Sequence, residues 1–336
     1  MQDSNIKEKS LSSAEEIKTT PEKEIAENTS SPVSEKKSIS KTWRWLEIIG
    51  FILLYIAALN ILAYITDPVR LNNPEIMISR ERNVVDPLNE PEDSLDVIIA
   101  GDSEAWAMVN PAIMMDEAGI SAYNCNQLGQ GVIETYYFLE KLFDKQHPQV
   151  VILETNVITH DTTFNTDIHL GFNAMVNETF PFLKYHSNWK YLVGLADAAE
   201  YTAVRGYDDL VTVDPYSGEE YMFETDKTYK VNPFTIYYLN KVNEICKENG
   251  ATLVLASSPS PVNMNYEKHN ALQAYADSHD IDFIDFNLLI DEIGIDWAND
   301  TGDAGDHINM YGTPKTTGYL IDYLEENYDL PDHRED

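Results

Sequence analysis

The sequence predicts a three-layer α/β fold, in which helices cover both faces of a parallel sheet, preceded by one transmembrane helix. Short aliphatic runs alternate with segments of helical periodicity from about residue 94 onward. Such runs indicate strands buried on both faces, and their alternation with helices indicates parallel pairing. A separate run of 18 uncharged residues, 48–65, is about the minimum length that spans a hydrocarbon core of roughly 30 Å.

Residues 1–42 precede this span and are rich in Ser, Glu, Lys and Thr. They have almost no aliphatic or aromatic clusters, so they cannot bury enough surface to offset the entropy of ordering. We expect this segment to be a disordered cytoplasmic tail.

Residues 43–66 are predicted to be an uncleaved transmembrane anchor. A buried core helix would show a polar face, which this segment lacks apart from Asn60. A cleavable signal peptide would more often have a shorter leader and a clear cleavage site. Interfacial aromatic residues lie at both ends of the span: Trp43, Trp45 and Tyr64. Basic residues are more frequent before the span than after it: Lys36, Lys37, Lys41 and Arg44 precede it, and Arg70 follows. This bias predicts a single-pass plasma-membrane protein with a cytoplasmic amino terminus and an extracytoplasmic domain.

A polar connector, residues 67–93, leads to a domain at residues 94–336 in which strands and helices alternate. Five aliphatic runs are predicted strands: LDVIIA at 95–100, SAYNC at 121–125, VVILE at 150–154, ATLVLAS at 251–257 and IDFIDF at 281–286. Four segments are predicted helices: 134–146, 233–250, 266–280 and 313–328. Asn232 and Pro233 form the start signal of the second helix, and Gly250 its stop signal. In such sheets, ligands bind outside the carboxyl ends of the strands.

Residues 158–231 break the alternation and are predicted to be an insertion over the strand tips. This interval is long and rich in Tyr, Trp and Phe, as in FPFLKYHSNWKYL. Large aromatic side chains mostly serve burial, so we interpret them as core and lid packing rather than as a sugar-stacking platform.

The charge of the chain excludes one class of partner. Residues 67–336 hold 15 Lys and Arg against 48 Asp and Glu. A domain with this excess of negative charge repels polyanions, so we expect no nucleic-acid partner. Cys125 and Cys246, the two cysteines of the chain, lie in apolar segments and are interpreted as buried free thiols, with a disulfide between them as the alternative.

The stretch LDVIIAGDSEAW places Ser103 directly after the first predicted strand, between Asp102 and Glu104. Taken alone this is a weak signal, because Gly, Asp and Ser are favoured in any turn or helix cap. A nucleophilic serine needs a base within hydrogen-bond reach, and the base needs an acceptor that fixes its tautomer. His307 precedes the final predicted helix. The two residues can meet if both loops lie at the same edge of the sheet.

The sequence blocks around these two residues resemble those of the SGNH (GDSL-type) hydrolase superfamily. The matching positions are Gly101, Asp102 and Ser103 in the first block, and His307, Asn309 and Gly312 in the last. The resemblance covers about residues 95–325 without the insertion. It implies a three-layer flavodoxin-like core, with Ser103 as nucleophile and His307 as base.

The resemblance also implies an oxyanion hole. Its donors would be the backbone N–H groups of Ser103 and Gly129, with Gly131 as second choice for the glycine, and the side-chain amide of Asn156. The block around Asn156 departs from the family pattern, since Glu154 and Val157 stand where Gly and Asp are expected.

The sequence does not decide which residue is the acid of a Ser-His-Asp triad. The family's aspartate usually lies three residues before the histidine, where this chain has Ala304. We predict that Asp303 orients His307 through a loop expanded by one residue. The alternatives are Asp306, whose side chain should point away from its neighbour, and a Ser-His dyad with a backbone carbonyl as acceptor.

We predict neither a metal nor a cofactor. Acids at positions 300, 303 and 306 do not follow the alternate spacing of a calcium loop. The remaining histidines with no convergent partners in sequence are interpreted as surface or satisfied core residues: His160, His169, His186, His269 and His279.

Together these observations predict an extracytoplasmic serine esterase or O-acyltransferase. Family relatives with a membrane anchor often act on acyl esters of cell-envelope polysaccharide, frequently beside a membrane-bound acyltransferase, which makes such a glycan the expected substrate and such an enzyme an expected partner. The alternative is a non-catalytic SGNH-like accessory protein that binds or scaffolds envelope polymer. A nucleotide- or flavin-binding domain is disfavoured, because no Gly-rich phosphate-binding motif follows the first strand.

Overall fold

The sheet and its flanking helices form an α/β fold, seen in a computed structural model that describes residues 41–71, 79–160, 164–197 and 201–334. Most of the predicted disordered tail (1–42) and part of the predicted connector (72–78) lie outside the described residues. All five predicted strands are confirmed: β1 (Val97–Gly101), β2 (Ala122–Asn126), β3 (Val150–Glu154), β4 (Thr252–Ser257) and β5 (Asp282–Asp285).

The strands pair in parallel in the order β2-β1-β3-β4-β5. This is the flavodoxin-like order, so the predicted fold class is confirmed. The chain passes from β1 to β2 on one side and then returns to place β3 on the other side of β1. Ligand sites of such folds lie at this switch point, beyond the carboxyl ends of the two strands.

The helices are α1 (Lys41–Ile65), α2 (Pro68–Leu71), α3 (Ser79–Val85), α4 (Ser103–Met108), α5 (Pro111–Ala118), α6 (Val132–Leu142), α7 (Asn156–Thr159), α8 (Phe164–Thr179), α9 (Pro181–Tyr185), α10 (Trp189–Leu192), α11 (Pro233–Glu248), α12 (Tyr266–His279), α13 (Ile290–Ile293) and α14 (Thr313–Asn327). The four helices predicted within the alternating pattern are α6, α11, α12 and α14. The helix α6 ends at Leu142, earlier than predicted.

Two hydrophobic cores lie on opposite faces of the sheet, because successive side chains of a strand point to opposite sides. Ile98 and Val151 face the core shared with α6, α11 and α12. Val97 and Val150 face the core shared with α4, α5 and α14. The three layers of the predicted fold follow from this alternation.

Capping residues explain where several helices begin. The side chain of Asn232 accepts the N–H of Phe234 at 2.9 Å, and Pro233 occupies the first helical position of α11. The side chain of Asn110 does the same for α5 by accepting the N–H of Ala112 at 2.9 Å. Each cap satisfies a backbone donor that has no partner within its helix.

The predicted insertion between β3 and β4 contains α8, α9 and α10, followed by a segment with little regular structure. Residues 210–216, which we call the strap, cross the loop that connects β5 to α14. The N–H of Asp214 donates to the carbonyl of Thr301 at 3.0 Å, and the carbonyl of Asp214 accepts the N–H of Ala304 at 2.9 Å. The strap therefore fixes the loop that carries His307.

The helix α1 is the one helix within the described ranges that is long and apolar enough to cross a membrane, judged by length and composition. At 1.5 Å per residue, its 25 residues cover the roughly 30 Å of a hydrocarbon core. Cys125 and Cys246 are both free and buried. Burial raises the pKa of the Cys246 thiol to about 12, so this cysteine stays protonated at neutral pH.

Candidate functional site

The candidate site lies at the switch point, where Ser103 is the first residue of α4 directly after β1. Gly101 allows this turn to pack closely against β3. A Cβ atom at position 101 would lie 2.6 Å from the Cβ of Ala105 and 2.8 Å from the Cβ of Glu154. This close packing therefore requires a residue without a side chain at position 101, the last residue of β1.

Asp102 ties the turn together from both sides. One oxygen of its buried carboxylate accepts the N–H of Glu104 at 3.0 Å, which caps α4. The other oxygen accepts the side-chain amide of Asn156 at 2.9 Å. Asn156 thus uses one N–H to hold the strand-to-helix turn, and its nitrogen carries a second N–H for other acceptors.

His307 is held by Asp303. One carboxylate oxygen of Asp303 lies 2.7 Å from Nδ1 of the imidazole, and the other accepts the backbone N–H of His307 at 2.7 Å. The nearest carboxylate oxygen of Asp306 lies 3.8 Å from the same Nδ1. The longer loop is possible because Ala304 and Gly305 adopt positive φ angles of 57° and 93°.

The Nε2 atom of His307 is buried and has no hydrogen-bond partner in the described part of the chain. With Nδ1 on Asp303, this nitrogen is the one available to accept a proton. Within the described residues, no hydrogen bond joins this nitrogen to Ser103.

The helix α4 and the His307 loop face each other. A carboxylate oxygen of Glu104 lies within 4.8 Å of a ring nitrogen of His307. The rings of Trp106 and His307 meet edge to face, with their centroids 6.3 Å apart. Because Glu104 and Trp106 lie on the same short helix as Ser103, the fold brings the predicted nucleophile and the predicted base to one edge of the sheet.

The predicted oxyanion donors differ in availability. Gly129 is exposed in the left-handed region, with φ of 65°, and a Cβ there would contact nothing within 4 Å. The N–H of Gly131 instead donates to the side chain of Glu134 at 3.0 Å, which closes a capping box of α6. Of the two glycines, Gly129, the first choice, therefore lies in open space, whereas the N–H of Gly131 is already used within the protein.

Two further acids, Glu104 and Glu154, are almost fully buried at the site. Burial raises the pKa of both carboxyl groups well above the ordinary value, the charge of Asp102 raises both further, and the charge of Glu154 also raises the pKa of Glu104. Glu154 accepts the backbone N–H groups of Asn156 at 2.9 Å and Ser258 at 3.3 Å. The sequence carried a signal for Glu154, since a glutamate ends an otherwise aliphatic strand.

Sequence reasoning missed Asn263, and it interpreted His160 as a surface or satisfied core residue rather than as a neighbour of the site. The Asn263 amide donates to Glu104 and also to Asp306, the latter at 2.6 Å. His160 lies close enough to Asp102 to lower the pKa of that carboxyl group, although burial raises this pKa overall. Both residues lie in loops with no recognisable motif, so their roles emerge only from the fold.

Asn309, a position of the last sequence block, supports the loop rather than facing a reacting group. Its amide donates to the carbonyl groups of Thr212 at 3.0 Å, Asn299 at 2.9 Å and Thr301 at 3.1 Å. Thr301 also donates from its hydroxyl to the carbonyl of His307 at 3.0 Å. Asn309 therefore links the strap to the loop.

His269 forms a second pair with an acid, but not at the candidate site. Its Nδ1 lies 2.7 Å from a carboxylate oxygen of Asp285, and its ring packs against Tyr266 and Phe283. This arrangement is that of a satisfied, largely buried histidine.

The similarity of this chain to known proteins is low. No protein-family model and no curated protein match it. Among solved structures, a gut microbial diltiazem-metabolizing enzyme is similar at 12% identity with a TM-score of 0.31, over 70% of this chain and 47% of that chain. A Streptococcus pneumonia protein assigned as a platelet activating factor is similar at 14% identity with a TM-score of 0.30, over 82% of this chain and 99% of that chain. This chain thus spans about half the length of the first protein. Both scores are too low to carry information about function.

Proposed function

We propose that this protein is a serine esterase or O-acyltransferase of the SGNH type that acts on acyl esters outside the cytoplasm. The observation that supports this proposal best is the Asp303–His307 pair, with Nδ1 of the imidazole 2.7 Å from the carboxylate and a buried, unpartnered Nε2. An imidazole oriented in this way is prepared to act as a general base. In this proposal Ser103, which directly follows β1, supplies the hydroxyl that becomes the nucleophile.

In the proposed reaction, the Ser103 Oγ attacks the carbonyl carbon of an ester while His307 Nε2 takes the hydroxyl proton. Asp303 keeps the proton on Nδ1 and stabilises the imidazolium. The tetrahedral oxyanion is stabilised by the backbone N–H groups of Ser103 and Gly129 and by the Asn156 amide, each donor contributing about 3 to 4 kcal/mol. Collapse of the intermediate expels the alcohol, which receives its proton from His307.

The acyl group then leaves Ser103 by the same chemistry in reverse order. His307 deprotonates an incoming hydroxyl, which attacks the acyl-enzyme and releases Ser103 as the leaving group. Water as acceptor gives hydrolysis, and a sugar hydroxyl gives transfer. One site therefore supports both an esterase and an O-acyltransferase.

The substrate class we propose is the acyl ester of a cell-envelope polysaccharide or related polymer. The helix α1 can anchor the domain at a membrane, and the basic residues that precede it favour an extracytoplasmic domain. A membrane-bound acyltransferase is the proposed partner, since an acyl group that reaches this side of a membrane needs a donor there.

The test is labelling of the full-length protein in detergent with a fluorophosphonate probe, together with cleavage of a chromogenic acetyl ester. We expect the wild type to be labelled and the Ser103→Ala variant not to be labelled. Ser258→Ala is the matched control, because Ser258 is a buried serine directly after β4 and should leave labelling intact. His307→Ala should reduce ester cleavage by at least about 100-fold.

A folded wild type that neither labels nor cleaves any short acyl ester would contradict the proposal. The alternative would then be the non-catalytic accessory protein, and the next measurement would be its binding to envelope polymer. Labelling that persists in Ser103→Ala would place the nucleophile elsewhere.

A further inference from the structure

Three potential metal ligands from two distant parts of the chain meet beside Ser103. Within the described ranges, a carboxylate oxygen of Glu104, a carboxylate oxygen of Asp306 and a ring nitrogen of His307 all lie within 4.8 Å of one another. Two carboxylates and one imidazole are a donor set suited to divalent first-row transition metals. The sequence analysis considered only the spacing of acids within the His307 loop. It could not reveal this cluster, because Glu104 lies in α4.

Two of the three groups have buried polar atoms without a partner. Glu104 is 1% exposed, and its Oε2 has no hydrogen-bond partner in the part of the chain that the structure describes. The Nε2 atom of His307 is also buried and also has no hydrogen-bond partner among the described residues. Since buried polar atoms are nearly always satisfied, two orphans in one cluster indicate a ligand that the protein itself does not supply.

The surrounding residues hold the remaining atoms of these ligands. The Asn263 amide donates to Oε1 of Glu104 and to Oδ1 of Asp306, so one oxygen of each carboxylate is held by the same side chain. Asp303 accepts from the Nδ1 side of His307. Metal-bound histidines usually donate their second ring N–H to a carboxylate in this way.

Further acids surround this cluster. Asp102 and Glu154 are buried at the same site as Glu104. Buried carboxylates in such number are normally paired with a cation or a metal.

We propose that Glu104, Asp306 and His307 form a binding site for a divalent transition-metal ion such as Zn²⁺, and that occupation of this site inhibits the serine chemistry. The ligand atoms would be Glu104 Oε2, Asp306 Oδ2 and His307 Nε2, with water in the open position. Zinc bonds of about 2.0 to 2.2 Å place tetrahedral ligands roughly 3.3 to 3.5 Å apart. The cluster must therefore contract by up to about 1.5 Å, which the partly exposed Asp306 side chain allows.

The inhibition, unlike the metal binding, rests on the proposed function. Nε2 has one lone pair, so it cannot bind a metal ion and accept the Ser103 proton at the same time. The metal would thus hold the enzyme in an inactive state that a chelator reverses.

The test begins with metal binding, measured by equilibrium dialysis with Zn²⁺ and by the visible absorption of bound Co²⁺, on full-length protein that has been stripped with EDTA. We expect about one ion per chain in the wild type. Glu104→Gln and Asp306→Asn should each weaken Zn²⁺ binding by at least about 10-fold. The control Glu248→Gln, which removes an exposed acid at the end of α11, should bind as the wild type does.

Absence of binding, or equal binding by wild type and Glu104→Gln, would overturn the metal site. Circular dichroism shows whether each variant is folded. If Glu104→Gln does not fold, Asp306→Asn carries the test, because the Asp306 side chain is 41% exposed.

Fluorophosphonate labelling then tests the inhibition, with each variant compared with its own metal-free rate. Saturating Zn²⁺ should slow wild-type labelling by at least about 10-fold, and EDTA should restore it. Glu104→Gln should need at least about 10-fold more Zn²⁺ for the same effect. Zinc that binds without slowing labelling would overturn the inhibition. Zinc binding by a protein that is never labelled would overturn the serine mechanism and leave the metal site standing.

Discussion

Asp303 and Asp306 both lie near His307, but their geometry assigns them different tasks. Asp303 contacts Nδ1 and the backbone N–H of the histidine at 2.7 Å each. Asp306 lies 3.8 Å from Nδ1 and instead accepts the Asn263 amide. A single expanded loop thus presents one carboxylate to the imidazole and turns the other toward Glu104.

This difference predicts that Asp303→Asn is the more damaging of the two substitutions. Loss of the orienting carboxylate should lower kcat/KM for a chromogenic acetyl ester by about 100-fold to 10,000-fold, because the wrong tautomer is then favoured. Asp306→Asn should cause a smaller loss, measured on the same metal-free preparation. Equal losses in the two variants would contradict the assignment.

At the scale of single residues, the buried Glu154 also leads to a prediction about the pH dependence of stability. The residue is 2% exposed, and burial, followed by the charge of Asp102, raises the pKa of its carboxyl group well above the ordinary value. The folded chain then holds a proton that the unfolded chain releases, so the free energy of unfolding falls as pH rises from the ordinary glutamate pKa toward the folded one. Within that window each titrating group contributes about 1.4 kcal/mol per pH unit.

Glu154→Gln should therefore make the stability less dependent on pH. Urea unfolding at about pH 5 and about pH 8 measures the change, and the wild type should lose more free energy of unfolding between them than the variant does. The exposed control Glu248→Gln should behave as the wild type. Parallel pH profiles for Glu154→Gln and wild type would show that this carboxyl group does not titrate as described.

At the scale of secondary-structure elements, the β1–α4 turn depends on Gly101. A methyl group at this position would overlap Ala105 and Glu154, at 2.6 and 2.8 Å between Cβ atoms. We expect Gly101→Ala to lower the free energy of unfolding by about 1 to 3 kcal/mol and to slow fluorophosphonate labelling, because Ser103 shifts with the turn.

Gly318 in α14 is the matched control for this substitution. A Cβ there would meet nothing within 4 Å, and the position is inside a helix. Gly318→Ala should raise the free energy of unfolding by about 0.5 to 1 kcal/mol, through better helix propensity, and leave labelling unchanged. If both alanine variants had the same effect on labelling, the close packing at Gly101 would not be the cause.

At the scale of the whole molecule, the large negative net charge should influence stability. The chain has a net charge of −34, and such self-repulsion opposes the compact state. Salt shortens the range of this repulsion, from about 30 Å at 0.01 M to about 8 Å at 0.15 M ionic strength.

We therefore expect the thermal unfolding midpoint to rise with ionic strength, by about 2 to 4 °C for each kcal/mol that screening recovers. Differential scanning calorimetry in NaCl measures this, with sucrose at matched osmolality as an uncharged comparison. A midpoint that falls with added salt would mean that attractive ion pairs outweigh the repulsion.

The strands and four of their helices, α6, α11, α12 and α14, could be predicted because their signals are local. Aliphatic runs marked β1 to β5, and Asn232 with Pro233 marked the start of α11. The helix α5 was missed although its signals were present, since Asn110 caps it, Pro111 is its first residue and Gly119, in the left-handed conformation, ends it. Its eight residues are too few for a clear period.

The candidate site was predictable only in part. Ser103, His307 and Asp303 stood in blocks that resemble those of a superfamily, so their types and spacing could be compared. Asn263 and the burial of Glu104 depend on contacts between segments far apart in sequence, which no local pattern encodes.

The strap precedes β4 in the chain. It is bound to the His307 loop through backbone hydrogen bonds of Asp214 with Thr301 and Ala304. The turn around Ser103, by contrast, is held by Asp102, which accepts from Glu104 in the same turn and from Asn156 beside the adjacent strand β3. Contacts between distant segments form late, because closing the long loop between them costs entropy before any contact repays it. We expect the sheet and the nucleophile turn to form first and the histidine loop to settle last, so that a newly made chain is folded before it is reactive.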